Sequence, residues 1–132
     1  LQGGIAANPT PGLAGLEAWF WLTSPPAAST RQYGNYSITL TPQSVLWEFG
    51  DGSSETDYGA PAFGLPYPVR SSIHHIYQSQ SQGGFGVTAT VSYSTTWTAS
   101  TANGSTAPAP GPTLTASASI AYPVRQAQPE LT

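Results

Sequence analysis

The residues of this chain that could take part in chemistry are few and lie close together. Asp51, Glu55 and Asp57 fall within one short segment, and His74 and His75 follow later in the chain. Clustered carboxylates suit two kinds of chemistry: the binding of a hard cation such as Ca²⁺ by several oxygens, or acid–base hydrolysis of a glycosidic bond. Both must be weighed against a purely structural role.

Neither chemistry is well supported by the pattern. The three acids lack the regular D-x-[DN]-x-[DN]-G spacing of a calcium loop. Adjacent histidines on a strand point to opposite faces, so His74 and His75 cannot chelate one ion together. The chain contains no G-x-S-x-G, H-E-x-x-H or phosphate-loop motif. We therefore predict no catalytic residue, no cofactor and no metal ligand, and expect that the protein is not an enzyme.

The composition limits the class of protein further. The chain has 132 residues, no cysteine and only 7% charged residues, and its bases are the three arginines Arg31, Arg70 and Arg125. A net charge of −3 removes the main driving force for binding nucleic acid. No apolar run is long enough to span a bilayer. A surface whose polar side chains are mainly Ser, Thr, Asn and Gln favours an extracellular or cell-surface protein. We expect it to be exported and processed from a longer precursor.

Alternation of apolar and polar residues predicts strands throughout the chain. Each run has one apolar face and one Ser/Thr face, which is typical of sheets that bury one side. The fold predicted is an all-β, immunoglobulin-like sandwich in a single domain over 1–132, with an N-terminal arm (1–12) and a C-terminal tail (126–132). The four clearest runs are YSITLT, SVLWEF, FGVTATVSYSTTW and LTASASIAYPV.

The last two runs are long and predict an extended C-terminal hairpin. The segment 101–112 between them, TANGSTAPAPGP, is rich in turn formers, so we expect a floppy or arched tip. A second long connection, 57–70, contains too many apolar residues for a solvated linker and is expected to pack as an ordered excursion. The hairpin exceeds what a sandwich core needs, so we expect it to make any contact between subunits, together with the termini.

The segment WEFGDG, residues 47–52, combines two large aromatic residues with a turn. Trp47 and Phe49 share one strand face and are predicted to anchor the core. Gly50 and Gly52 permit the positive φ of a tight turn, and the carboxylate of Asp51 is suited to bind that turn's amides. We favour this structural interpretation over a calcium loop or a catalytic acid.

The same residues carry a resemblance to a known family. Trp47-Glu48-Phe49-Gly50-Asp51-Gly52 resembles the W-D-F-G-D-G signature of PKD domains, with Glu48 in place of the usual Asp. His75-Ile76-Tyr77 and the run from Gly84 to Val91 match the family's later H-x-Y and G-x-Y-x-V elements. The chain is similar to PKD-like exported proteins of actinomycete-type bacteria. The resemblance implies an immunoglobulin-like fold, a structural role for His75 and Tyr77, and work in adhesion, spacing or presentation.

The segment GLEAWFWLT is apolar on both faces. Leu16, Ala18, Phe20 and Leu22 lie on one face, and Trp19 and Trp21 lie on the other. Three explanations are open for the tryptophans: cover by the 58–69 excursion of the same chain, a protein–protein contact, or a platform for sugar rings. We expect cover from the same chain for at least one of the two rings.

Two functions remain open. The first is a non-catalytic structural or adhesive module that contacts other surface proteins or copies of itself. The second is a carbohydrate-binding module that accompanies a larger secreted protein. The first is favoured by low charge and by strands with exposed Ser and Thr.

Overall fold

The alternating runs form strands that pack as two sheets, and the chain is an all-β sandwich. A computed structural model describes residues 3–126, which contain eleven strands, one short 3-10 helix (Ala60–Phe63) and no α-helix. In chain order the strands are β1 (Ile5–Asn8), β2 (Gly12–Leu13), β3 (Glu17–Leu22), β4 (Ser29–Tyr33), β5 (Tyr36–Glu48), β6 (Ser54–Tyr58), β7 (Ile73–Ile76), β8 (Ser81–Thr101), β9 (Gly104–Ser105), β10 (Ala109–Pro110) and β11 (Leu114–Arg125).

The sheets differ greatly in size. The small sheet has the order β1-β3-β7, with antiparallel pairing throughout. The large sheet follows the order β2-β11-β8-β5-β4. Strand β6 pairs with the second half of β5, and β9 and β10 pair with the end of β8. The long strands therefore form a sheet much larger than the three short strands that pack against it.

Strand β5 unites two runs that the sequence predicts as separate strands. The two runs are continuous across Pro42, because the pairing with β8 continues through a register shift between Pro42 and Ser44. One extra residue, Gln43, changes the phase of the alternation. As a result Ile38 and Leu40, at even positions, share a face with Val45 and Trp47, at odd positions. The irregularity keeps the apolar residues of both halves on the inner side.

The predicted C-terminal hairpin is present. Strands β8 and β11 pair antiparallel from Leu114–Tyr93 to Val124–Ser81. Of the two alternatives for the tip, floppy or arched, the structure shows an ordered one, because residues after the turn fold back along β8 as β9 and β10. Thr95 donates its hydroxyl hydrogen to the Pro112 carbonyl at 2.6 Å and fixes the return of the chain. A proline is tolerated in β10 because that strand is a two-residue edge.

The core lies between the small sheet and the adjoining half of the large sheet. Phe20 is fully buried there, with its ring centroid 5.1 Å from that of Tyr122 and 5.7 Å from that of Phe49. The buried apolar residues are Ile5, Ala18, Phe20, Leu22, Val45, Trp47, Phe49, Ala62, Ile73, Tyr77, Val87, Ala89, Val91, Tyr122 and Val124.

Part of the predicted N-terminal arm belongs to the fold. Residues 5–8 form β1, with Ile5 in the core, and Gly12 begins β2, which pairs parallel with the end of β11. The Tyr122 hydroxyl donates to the Pro9 carbonyl at 2.5 Å and holds this segment down. Of the predicted C-terminal tail, 127–132 lies outside the described residues.

The connection from β6 to β7 packs as an ordered excursion against β3, as expected. Ser71 is buried at its end, donates to the Phe20 carbonyl at 2.6 Å and accepts from the amides of Leu65 and Ile73 at 3.0 and 3.1 Å. Gly64 lies so close to the β3 backbone that a Cβ there would stand 2.7 Å from the Trp21 Cα. The sequence gives no clear signal for this role of Ser71.

Candidate functional site

The aromatic residues of WEFGDG anchor the core. Trp47 and Phe49 are buried on the inner side of the large sheet. The Trp47 indole N–H donates to the Ala62 carbonyl at 2.8 Å, so the single polar atom of the side chain has a partner. This bond ties the 3-10 helix to the strand, and it makes Trp47 a structural residue.

Asp51 forms the centre of a turn that is closed by a histidine. One carboxylate oxygen accepts from the Ser53 amide at 3.0 Å, and the other lies 2.7 Å from the His75 Nε2. The His75 ring stacks on Phe49 with centroids 4.4 Å apart and planes inclined by 5°. The Tyr77 hydroxyl donates to the Phe49 carbonyl at 2.8 Å. Together these contacts join the turn to β7.

Backbone geometry at the turn requires glycine. Gly50 has a φ of +86°, and a Cβ there would stand 2.7 Å from the Gly86 carbonyl oxygen on β8. Gly52 has a φ of +93° with open space around it. Gly50 is therefore needed for both conformation and close approach, and Gly52 for conformation alone.

The surroundings of Asp51 favour the charged form of its carboxyl group. Burial disfavours the carboxylate, but the hydrogen bonds from His75 and the Ser53 amide outweigh that cost and hold its pKa below the usual value. Burial, and in second place the Asp51 charge, raises the pKa of the Tyr77 hydroxyl. His75 and Tyr77 contact Phe49 and the turn, so these groups act as a structural cluster.

The other two acids do not join Asp51. Glu55 and Asp57 lie on β6 opposite Trp47 and Val45, so they share the inner side of the large sheet at its edge. Burial, and in second place the neighbouring Asp57 carboxyl group, raises the pKa of Glu55 to about 7. One oxygen of Asp57 is buried and has no hydrogen-bond partner. Within residues 3–126, no group of three or more His, Cys, Asp or Glu side chains converges as in a metal site.

The Glu55–Asp57 pair predicts a pH dependence of stability. Glu55 holds its proton to a higher pH in the folded chain than at its ordinary value of 4.5. The folded state then binds more protons between about pH 4.5 and pH 7, so the free energy of unfolding falls as the pH rises through that window. We expect Glu55→Gln to be more stable than the parent above pH 7 by on the order of 1 kcal/mol, after allowance for solvent screening.

Urea unfolding of both proteins at about pH 5 and about pH 8 measures this difference. Glu48→Gln is the matched control, because Glu48 is exposed and lies on the opposite side of β5. If the stability of the parent and of Glu55→Gln depended on pH in the same way, the raised pKa of Glu55 would be contradicted.

The outer side of the small sheet carries a second polar and aromatic cluster. Arg70 binds Glu17 through two hydrogen bonds of 2.9 and 3.0 Å, and the Trp19 indole donates to the same carboxylate at 2.7 Å. The bonds from Arg70 and then Trp19 hold the pKa of Glu17 below its usual value. His74 lies 3.8 Å from Glu17, and the Tyr67 ring lies 6.4 Å from that of Trp19.

The two tryptophans on this side are partly covered by their own chain. Trp19 contacts Tyr67 of the excursion, which agrees with the first of the three explanations. Trp21 is half-buried beside Gly64. Leu16 departs from the expected inward face and is exposed, because β3 begins only at Glu17. The Trp19 and Trp21 side chains therefore do not form a free flat platform.

A larger exposed apolar surface lies on β5 and on the long C-terminal hairpin, away from the two tryptophans of β3. The small sheet covers only one half of the large sheet, and the first part of β5 and the end of β8 extend beyond it. Register places their inward-facing residues on the same side as the core. We call this surface the open face; it comprises Tyr33, Tyr36, Ile38, Leu40, Tyr93, Trp97 and Leu114.

The open face is concave and aromatic. Tyr33 is 57% exposed, Tyr36 49%, Leu114 44% and Trp97 38%. The Tyr36 and Trp97 rings lie 6.1 Å apart. A cleft of about 830 Å³ occupies the part of the face around Tyr33, Leu40 and Tyr93, and Pro25, Pro26 and Arg31 also line it.

One sequence signal could have identified this face. Apolar alternation in the run after Phe85 continues to Trp97, whereas the predicted opposing strands are short. Three strands of four to six residues cannot cover a strand of 21 residues. An excess of inward-facing residues on one sheet therefore indicates an uncovered surface.

No protein-family model matches the chain, and no curated protein or solved structure matches it either. The resemblance to PKD domains therefore rests on the motif residues given above. Among residues 3–126, no helix has the length and apolar character needed to cross a bilayer.

Proposed function

We propose that this chain is a non-catalytic, PKD-like module of an exported or cell-surface protein, and that its open face makes protein–protein contacts. The observation that carries the proposal is the half-sheet left uncovered by the small sheet. Its partners are other surface proteins or further copies of the chain.

The chemistry of the open face fits a protein interface. A contiguous apolar patch on a soluble domain commonly marks an interaction site, and tyrosine and tryptophan are frequent anchors of binding energy. Tyr36, Trp97 and Leu114 are presented together on a paired sheet, so little side-chain and backbone entropy is lost when they bind. Arg31 supplies a basic group in the cleft wall.

Carbohydrate binding is the second candidate, and the concave shape of the cleft favours it. Tyr33 and Tyr93 line the cleft together with the polar groups of Ser29 and Arg31. Aromatic faces stack on sugar rings, and hydroxyl and guanidinium groups bind sugar hydroxyls. The aliphatic residues of the face, Ile38, Leu40 and Leu114, favour a protein partner, because sugar rings stack on aromatic side chains.

Retention on the native cell surface distinguishes the two candidates. Labelled parent protein is expected to bind the surface of the cells that produce it. The double variant Tyr36→Ser/Trp97→Ser should lose at least about tenfold in retention, because truncating interface anchors commonly costs more than 1 kcal/mol each. Tyr58→Ser is the matched control, since Tyr58 is exposed but lies on β6, away from the open face.

Pretreatment of the surface identifies the class of partner. Protease treatment should abolish retention, and glycosidase treatment should leave it unchanged. The reverse pattern would replace the protein partner with a glycan. Equal retention of the parent and the double variant would contradict a role for the open face.

A further inference from the structure

The outer edge of β11 is unpaired along most of its length. One side of the strand pairs with β8, and the other pairs only with β2, at Val124 and Arg125. Among residues 3–126 no other strand bonds to that side. From Leu114 to Ala121, alternate residues therefore direct their N–H and C=O groups away from the sheet.

Other edges of the sandwich carry features that discourage pairing. Strand β6 turns Glu55 and Asp57 inward, and the 3-10 helix packs beside it. Strand β4 is five residues long and contains Arg31. Inward charges, short edges and covering segments are the usual means of preventing edge-to-edge association.

The edge of β11 has none of these features. Its segment 114–121, LTASASIA, contains no charge, no proline and no glycine. Most of its residues are small, and the outer positions, such as Ser117 and Ser119, are exposed. An open, uncharged edge of this length is a template for strand addition.

We propose that this edge pairs antiparallel with the same edge of a second copy of the chain, so that two large sheets join into one. The inference rests on the proposed function, because it names one partner for a module that makes protein–protein contacts. It uses the backbone edge of β11, whose residues lie outside the open face apart from Leu114 at one end.

Self-pairing fits the sequence of the edge. A two-fold axis near Ser117 and Ala118 places small residues of one copy opposite small residues of the other near the axis. The segment has no charged residue, so no like charges face each other across the pair. Strand β2 occupies the edge at Val124, so the overlap is limited to the free segment. Antiparallel pairing places the two open faces at opposite ends of the dimer.

Sedimentation equilibrium tests the dimer. We expect the parent to shift with concentration from 13.7 kDa toward twice that mass. Ser117→Lys places two like charges near the axis and should weaken the dimer at least about tenfold. Thr96→Lys is the matched control: it makes the same change in charge on an exposed residue of β8, which is paired on both sides.

Cysteine cross-linking provides a second measurement, independent of the lysine variant's folding. The chain contains no cysteine, so an introduced thiol is unique. Directly opposed residues of antiparallel strands lie within disulfide distance. Ser117→Cys alone, or mixed with Ser119→Cys, should form a disulfide dimer under mild oxidation, whereas Thr96→Cys should not.

A parent that stays monomeric into the millimolar range, or serine-site thiols that cross-link no faster than the control thiol, would overturn the inference. An unchanged dimer in Ser117→Lys would also overturn it. Failure here leaves the proposed function standing, because surface retention is read from the Tyr36 and Trp97 variant. If the Tyr36→Ser/Trp97→Ser variant is retained on the cell surface as well as the parent while the dimer is intact, only the open-face proposal is overturned.

Discussion

Trp47→Ala is expected to destabilise the protein by about 3–5 kcal/mol, as truncations of large buried aromatic residues do. Trp47 is fully buried, packs against Phe20 and donates a hydrogen bond to the Ala62 carbonyl. Its removal leaves a cavity at the centre of the core and frees the 3-10 helix. Chemical denaturation measures the loss, which is a large share of the stability of an ordinary domain.

Trp97→Ala is the matched control, because the same atoms are removed from a residue that is 38% exposed on the open face. We expect the control to lose much less stability than Trp47→Ala. Equal losses in the two variants would contradict the assignment of Trp47 to structure and Trp97 to the surface.

Ser71→Ala is expected to cost about 2–4 kcal/mol, although it removes a single oxygen atom. The Ser71 hydroxyl accepts from the amides of Leu65 and Ile73 and donates to the Phe20 carbonyl. Without it, buried polar groups lose their partner, and each such group costs about 1–3 kcal/mol. The excursion should then separate more readily from β3, which amide hydrogen exchange would detect as faster exchange at Leu65 and Ile73.

Ser72→Ala is the neighbouring control. The Ser72 hydroxyl is exposed and makes one bond, to the Pro61 carbonyl. We expect it to change stability by less than about 1 kcal/mol. A Ser71→Ala variant no less stable than the Ser72→Ala control would show that the hydroxyl does not hold the excursion in place.

Alternation along the sequence predicts the sandwich and the long hairpin correctly, because each strand has one apolar side. The aromatic spacing of Trp47 and Phe49 also places both residues on the inner side. These features depend on residues that lie near one another in the chain. Alternation with a period of two residues therefore indicates these features directly.

Features that depend on distant parts of the chain could not be predicted in this way. The bulge at Gln43 joins two runs that lie on either side of Pro42, and the return of β9 and β10 depends on pairing with β8. The segment 54–58 is polar, yet it forms β6, because β5 offers an unpaired edge there. The open face depends on the size of the opposing sheet, so it is indicated only by comparing the lengths of distant runs and not by any single local pattern.

The central claim, that the open face contacts another protein, is tested most directly by site-specific photo-cross-linking. Trp97 is replaced by p-benzoylphenylalanine in the cells that produce the protein, and the neighbouring Thr96, on the opposite side of β8, serves as the control position. We predict a discrete covalent protein adduct after irradiation at position 97 and none at position 96. Absence of an adduct at position 97, or equal adducts at both positions, would contradict the claim.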